Sequence, residues 1–227
     1  IDRNFVDKMP KELTAKTGID ALVHAIEAYI SPVSTNFINS NSLEAIKLIF
    51  KYLERSYHEG SSDPLAREKM HYAATISGMA FANSTFGLCH YLAHFLEALY
   101  GLNHGIANAL LIRQVIKYFT LDPEFGLEND ISKVKLKISQ IASELNLEGS
   151  DECEKLHLLI NKITQLLESL QIPLAIKDCG VSETVFMDNL DGLLGLACPK
   201  HSSGIGNLSR LTDCVRTMYV NAYNGIV

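Results

Sequence analysis

Asp20 and His24 stand four residues apart in Thr17-Gly18-Ile19-Asp20-Ala21-Leu22-Val23-His24. A second group follows in Cys89-His90-Tyr91-Leu92-Ala93-His94, with His104-Gly105 downstream. Side chains four apart on a helix share a face, with Cβ atoms about 5 to 6 Å apart. A carboxylate and an imidazole at that spacing can both reach one cation at about 2.0 to 2.2 Å. Two further imidazoles from the second group would close the shell. One aspartate with three imidazoles is a nitrogen-rich donor set that suits Fe(II), Zn(II) or Co(II) and suits Mg(II) or Ca(II) poorly. Its chemistry is Lewis acidity toward an alcohol or carbonyl oxygen, which makes hydride transfer feasible when an acceptor is at hand. Four protein ligands leave room for substrate only if the metal accepts a fifth.

A lone His-x3-His carries little weight, since eight histidines in 227 residues give about 0.3 such pairs by chance. Asp20 and His24 alone read first as a capped or salt-linked helix face. The two pairs together, with a His-Gly after a turn, make metal ligation the better account. His58 precedes Glu59-Gly60 at a helix end, where an imidazolium complements the dipole. His71, His157 and His201 have no partner at ligand spacing and are assigned structural or surface roles.

The elements that must position these residues are helical, because apolar residues recur at three-to-four spacing and strand-like alternation is nearly absent. The expected class is all-α. A first helix is expected to follow a loop ending near Gly18 and to stop before Ser31-Pro32. A second is predicted over 41–58, and a third starts at Asp63-Pro64, an N-cap followed by proline in the first turn. The fourth runs from Gly87 to Tyr100 and closes at Gly101, with His90 and His94 on one face. The fifth follows His104. Leu121-Asp122-Pro123-Glu124-Phe125-Gly126 is the clearest break. Two amphipathic helices lie beyond it, Pro173 stops the second, another starts at Ser182, and the tail from about Ser209 is helical too. Residues 1–119 are expected to form a metal-binding helical part, and 130–227 a helical C-terminal part of the same domain.

The formal charge is −6, with 26 acidic and 20 basic residues. With no basic cluster, nucleic acid and anionic membranes are excluded as main partners and a small neutral substrate is favoured. Five irregularly spaced cysteines, without a Cys-x-x-Cys pair, indicate reduced thiols in a cytoplasmic setting. The charged first residues do not form a signal peptide, and no apolar run of about 18 residues is present. The chain starts with Ile, so it is expected to be part of something longer.

Three segments carry a family resemblance: Leu13-Thr14-Ala15-Lys16-Thr17-Gly18-Ile19-Asp20-Ala21-Leu22-Val23-His24-Ala25-Ile26-Glu27-Ala28-Tyr29, Gly78-Met79-Ala80-Phe81-Ala82-Asn83, and Gly87-Leu88-Cys89-His90-x3-His94-x9-His104-Gly105-Ile106-Ala107-Asn108-Ala109. They look like the iron-dependent (group III) alcohol dehydrogenases, in particular the alcohol dehydrogenase half of bifunctional aldehyde/alcohol dehydrogenases and the 1,3-propanediol dehydrogenases. The match is strong from about Val6 to Tyr118. The resemblance implies Asp20, His24, His90 and His104 as metal ligands for Fe(II), or Zn(II). It implies His94 as a non-ligand beside the nicotinamide, a catalytic candidate in the proton relay. It also implies the helical C-terminal domain of the dehydroquinate synthase-like fold. In that family NAD(P) is held by an N-terminal α/β domain with a glycine-rich loop. No such glycine cluster occurs here, so this chain alone is expected to lack that domain and to be inactive by itself.

Three departures stand out. Glu97 replaces a glycine three residues after His94, Asn103 replaces a proline before His104, and the tail reads Gly206-Asn207-Leu208 where relatives read Asn-Pro-Arg, with Cys198-Pro199-Lys200 replacing an acidic stretch. Glu97, seven residues after His90, either crowds the cofactor side or accepts an imidazole N–H; crowding is the preferred reading. The leading function is interconversion of a small primary alcohol and an aldehyde with NAD(P). The alternative is a diverged, non-catalytic metal-binding or assembly module. A zinc polyol dehydrogenase is a related option, and homo-oligomerisation is left open.

Overall fold

The computed structural model describes residues 1–85, 87–119, 128–198 and 208–227. Among them are nine α-helices and no strand, in line with the all-α expectation. They are α1 (Lys11–Ile30), α2 (Asn36–Glu59), α3 (Pro64–Ala82), α4 (Leu88–Tyr100), α5 (His104–Tyr118), α6 (Glu128–Glu144), α7 (Glu152–Ser169), α8 (Glu183–Ala197) and α9 (Leu208–Asn224). The break expected at Leu121-Asp122-Pro123-Glu124-Phe125-Gly126 lies outside the described residues, as do Pro199, Lys200, His201, Gly206 and Asn207. No helix among the described residues is long and apolar enough to cross a membrane.

The central helix is α1. Ile19, Leu22, Val23, Ala25, Ile26 and Ala28 are buried on it because α2, α3, α4, α5 and α6 all pack against it. A helix that is apolar nearly all round belongs in a core. Its few polar side chains must then find partners on neighbouring helices, since a buried polar group without one costs about 1–3 kcal/mol.

The helix begins at Lys11, after Pro10, and not beyond Gly18 as the sequence suggests. Gly18 lies inside it, where a Cβ would fall 2.2 Å from Leu53 Cδ1. The glycine therefore lets α2 approach α1 closely, and this tertiary contact outweighs its weak helix propensity. Helix α2 also starts before the predicted position, because Thr35 Oγ1 accepts from the Ile38 N–H and caps it. The predicted Asp63-Pro64 start is present, with Asp63 Oδ1 accepting from the Ala66 N–H. Gly101 closes α4 with φ +65°, in the left-handed region.

The later helices brace the earlier ones. Lys137 of α6 donates to the Tyr29 carbonyl at 2.8 Å and to Ser34 Oγ, placing a cation at the carbonyl end of α1. Tyr219 of α9 donates to the Leu92 carbonyl of α4. Arg113, buried in α5, donates to the Leu174 carbonyl at 2.6 Å. The helix carrying His90 and the helix carrying His104 are thus held from behind by the C-terminal half.

Candidate metal centre

Three helices converge on the predicted residues. Helix α1 supplies Asp20 and His24, α4 supplies His90 and His94, and α5 opens on His104. Asp20, His24 and His90 present ligand atoms all within 4.8 Å of one another. Asp20 Oδ2 lies 3.6 Å from His24 Nδ1, and Asp20 Oδ1 lies 3.5 Å from His90 Nε2 and 3.2 Å from His104 Nε2. His104 therefore joins the group through Asp20. His94 sits outside it, about half exposed, with its ring stacked on that of His104 at 5.4 Å. The His24 and His90 rings stack at 4.4 Å, and Phe81 covers the His24 ring.

Close approach of the backbones makes this convergence possible. A Cβ on Gly105 would lie 2.1 Å from the Lys16 carbonyl oxygen, so only glycine lets the first turn of α5 touch α1. A Cβ on Gly87 would lie 2.0 Å from the Glu27 carboxyl carbon. Asn103 caps α5, its Oδ1 accepting from the Gly105 N–H.

Glu27, 1% exposed, is the main residue that the sequence reading missed. Its carboxylate accepts from the Cys89 N–H at 2.5 Å, the His90 N–H at 3.3 Å and His90 Nδ1 at 2.5 Å. It therefore caps the start of α4, where Gly87 offers no side chain, and a carboxylate there also complements the helix dipole. Asn108 was missed too. Its Nδ2 donates to Asp20 Oδ1 at 2.9 Å and lies 3.2 Å from His104 Nε2. The buried Cys89 thiol donates to the Asn108 carbonyl and side-chain oxygens. Burial, with Glu27 and Asp20 nearby, raises that thiol well above its usual range, so it stays protonated. The signal for both residues was present in the spacing. Glu27 is seven residues after Asp20 and Asn108 four after His104, each on the same face of its helix.

Glu97 of α4 turns toward the histidines. Its Oε1 accepts from His104 Nδ1 at 2.6 Å and lies 3.4 Å from His94 Nδ1. This contact supports the second of the two expectations, an acceptor for an imidazole N–H.

These partners fix the tautomers. A carboxylate can only accept, so His90 and His104 both place a hydrogen on Nδ1 and turn Nε2 toward Asp20 Oδ1. Two imidazole lone pairs and a carboxylate oxygen facing one another repel unless a proton or a metal lies among them. Donors bonded to one ion at about 2.1 Å are about 3.0 Å apart in octahedral and about 3.4 Å apart in tetrahedral geometry. The spacing of 3.2 Å lies in that range and those of 3.5 and 3.6 Å exceed it by no more than about 0.2 Å, so the residues fit a transition-metal ion after a small contraction.

The electrostatics differ among the donors, His24 being ready to coordinate and His90 holding a proton that a metal must displace. Burial lowers His24 to about 4, against the pull of Asp20, which leaves its imidazole neutral and able to coordinate. Burial opposes charge on His90 as well, but hydrogen bonds to Asp20 and Glu27 raise it to about 9. Burial disfavours the Asp20 carboxylate, yet the hydrogen bond from His90 and the three surrounding imidazoles hold it below its usual value. His90 closes the floor of the site, whereas the side chains of Asp20, His24 and His104 are 23–34% exposed. The group is open on one side.

Residues 14–213 match the family model of the Fe-containing alcohol dehydrogenase family, C-terminal. The likeness thus continues past Tyr118, where the sequence motifs thin out. The chain is 42% identical, over 98% of its length, to the aldehyde-alcohol dehydrogenase of Clostridium acetobutylicum, of which it covers 26%. It is 37% identical, over 84% of its length, to the NADPH-dependent butanol dehydrogenase of Clostridium saccharobutylicum, of which it covers 46%. Its fold is similar to that of 1,3-propanediol oxidoreductase, with a TM-score of 0.78, 31% identity, and coverage of 97% of this chain and 54% of that one. The chain therefore spans about a quarter to a half of the length of the proteins it resembles.

Proposed function

Given that the chain belongs to the C-terminal part of the iron-containing alcohol dehydrogenase family, we propose that it is the metal-binding half of an NAD(P)-dependent dehydrogenase that interconverts a small primary alcohol and an aldehyde. The dinucleotide is held by segments beyond these 227 residues. The names of the aldehyde-alcohol and butanol dehydrogenases it resembles support the substrate class.

The ligands in this reading are Asp20, His24, His90 and His104, holding Fe(II) or Zn(II). A bound ion of this kind supplies Lewis acidity to the alcohol or carbonyl oxygen of the substrate. Asp20 gathers the three imidazoles, Glu27 and Glu97 hold His90 and His104 with Nε2 forward, and Asn108 steadies Asp20. His94, on the open side and half exposed, is the residue placed to carry a proton between substrate and water, next to the nicotinamide. Residues 1–119 provide the donors, and 130–227 brace them through Tyr219 and the carbonyl of Leu174. The convergence of His90 Nε2 and His104 Nε2 on one oxygen of Asp20 carries the proposal.

Metal analysis by mass spectrometry, on protein purified without oxygen and reconstituted with Fe(II) or Zn(II), tests it. About one equivalent is expected, lost in His104→Ala and kept in His157→Ala. A chain that takes up no stoichiometric transition metal favours the other reading, a diverged assembly module. The reaction itself is read from NADH or NADPH oxidation with a short aldehyde by the metal-loaded protein in its natural reading frame, and is expected to disappear in His104→Ala.

A further inference from the structure

Glu97 is a carboxylate at the open side of the group that touches a proposed ligand on the edge away from Asp20. Its Oε1 is 2.6 Å from His104 Nδ1 and 3.4 Å from His94 Nδ1, and its side chain is about a quarter exposed. His94, Glu97 and His104 also form a second set with ligand atoms within 4.8 Å of one another, so a second cation has to be weighed. The distances decide against it. Two donors on one ion at about 2.1 Å lie about 3.0 Å or more apart, whereas 2.6 Å is the length of a charge-assisted hydrogen bond. On its other edge His104 faces Asn108 Nδ2, a group that can only donate, at 3.2 Å. Acceptor on Nδ1 and donor beside Nε2 select the same tautomer, with the lone pair on Nε2.

We infer that Glu97 is a positioning residue: its carboxylate holds His104 as the Nδ1–H tautomer, aims Nε2 at the metal beside Asp20, and makes this imidazole a stronger donor. This deepens the ligand assignment made above and rests on it. The two imidazoles of the centre are then handled alike, each by a carboxylate from a neighbouring helix. Buried Glu27 orients His90 and part-exposed Glu97 orients His104, so both imidazoles are fixed before any ion arrives. Holding a ligand in its bound orientation removes an ordering cost from binding, and loss of such an outer partner typically weakens metal affinity about ten- to hundredfold.

Co(II) titration followed by visible absorption, with a competing chelator to set the Kd, reads this without any turnover. The wild type is expected to bind one Co(II). Glu97→Ala, which keeps a helix-forming residue on α4, is expected to raise Kd about ten- to hundredfold and to change the ligand-field bands. Glu97→Gln retains an oxygen that accepts from Nδ1–H and is expected to recover most of the affinity and the wild-type spectrum. That rescue separates orientation of His104 from a role in folding. His104→Ala serves as the control for the underlying assignment: if it still binds Co(II) normally, the ligand set itself falls. If His104→Ala loses the metal while Glu97→Ala binds with unchanged Kd and spectrum, only the role of Glu97 falls. Two equivalents in the wild type, with one lost in Glu97→Ala and the other unaffected, would also overturn it, making Glu97 a direct ligand.

Discussion

Glutamine in place of Glu27 keeps the shape of the side chain and removes its charge. The carboxylate is buried and takes three hydrogen bonds, two of them at 2.5 Å. Glutamine has one oxygen. Placed on the His90 side, it leaves its NH2 group facing the Cys89 N–H, so one buried donor loses its acceptor and the two His90 contacts change from charged to neutral. Hydrogen bonds to charged groups contribute about 1.5–3 kcal/mol against about 1 for neutral ones, and an unsatisfied buried donor costs about 1–3. A net loss of about 3 kcal/mol follows. For a domain of this size that lowers Tm by about 6–12 °C. His90 keeps an oxygen acceptor on Nδ1 and with it its tautomer, but a neutral amide polarises the imidazole less than a carboxylate does, so Co(II) affinity should fall by less than about tenfold. Thermal melts of the metal-free protein and chelator-competed titrations measure the two effects. Glu44→Gln, exposed on α2, is the control expected to change neither. A Glu27→Gln protein with wild-type Tm and wild-type Kd would refute the argument that this carboxylate both caps α4 and orients His90.

Gly105→Ala should push the first turn of α5 away from α1, because the new methyl would meet the Lys16 carbonyl at 2.1 Å, and backbone cannot yield as a side chain can. Co(II) affinity is expected to drop at least tenfold, and a normal titration counts against close helix contact as the device that brings His104 to Asp20. Leu110, fully buried on α5, should cost about 2–5 kcal/mol on truncation to alanine, read by denaturant unfolding; a loss under 1 kcal/mol contradicts its place in the core. In the metal-free chain pH acts through two histidines with opposite sign. His90 is raised from 6.5 to about 9, so its stabilisation is full below pH 6.5 and is lost as pH rises through 9. His24 is lowered from 6.5 to about 4, so its contribution is present above pH 6.5 and is lost as pH falls through 4. Tm should therefore peak near pH 6.5. Metal binding must displace the His90 proton, so Co(II) affinity should rise by up to about tenfold per pH unit between 7 and 9; a flat profile contradicts the raised His90.

The residues by themselves determined the all-α class, most of the helices and the identity of the candidate donors. Helical periodicity and caps such as Asp63-Pro64 and Gly101 are local signals, written within a turn or two of the chain. The same holds for the four-residue spacing of Asp20 and His24, which the structure places 3.6 Å apart across one helix face. Gly18 shows where local reading fails. As a breaker it suggests a loop, but its use is a contact with Leu53 on another helix, invisible until α1 and α2 are packed.

Only the tertiary structure decided which side chains complete the centre. Glu27 sits in the same motif as Asp20 and His24, yet nothing along α1 says that it meets the open end of α4. That contact links residues far apart in the chain and depends on Gly87 admitting the carboxylate. The choice between two roles for Glu97 was likewise open at the level of spacing. Seven residues along a helix fix a face, whereas the 2.6 Å contact with His104 Nδ1 depends on how α5 enters beside α4. Spacing along one helix constrains direction to a face, but hydrogen-bond roles are set by distances of a few tenths of an ångström between helices, and those follow from packing.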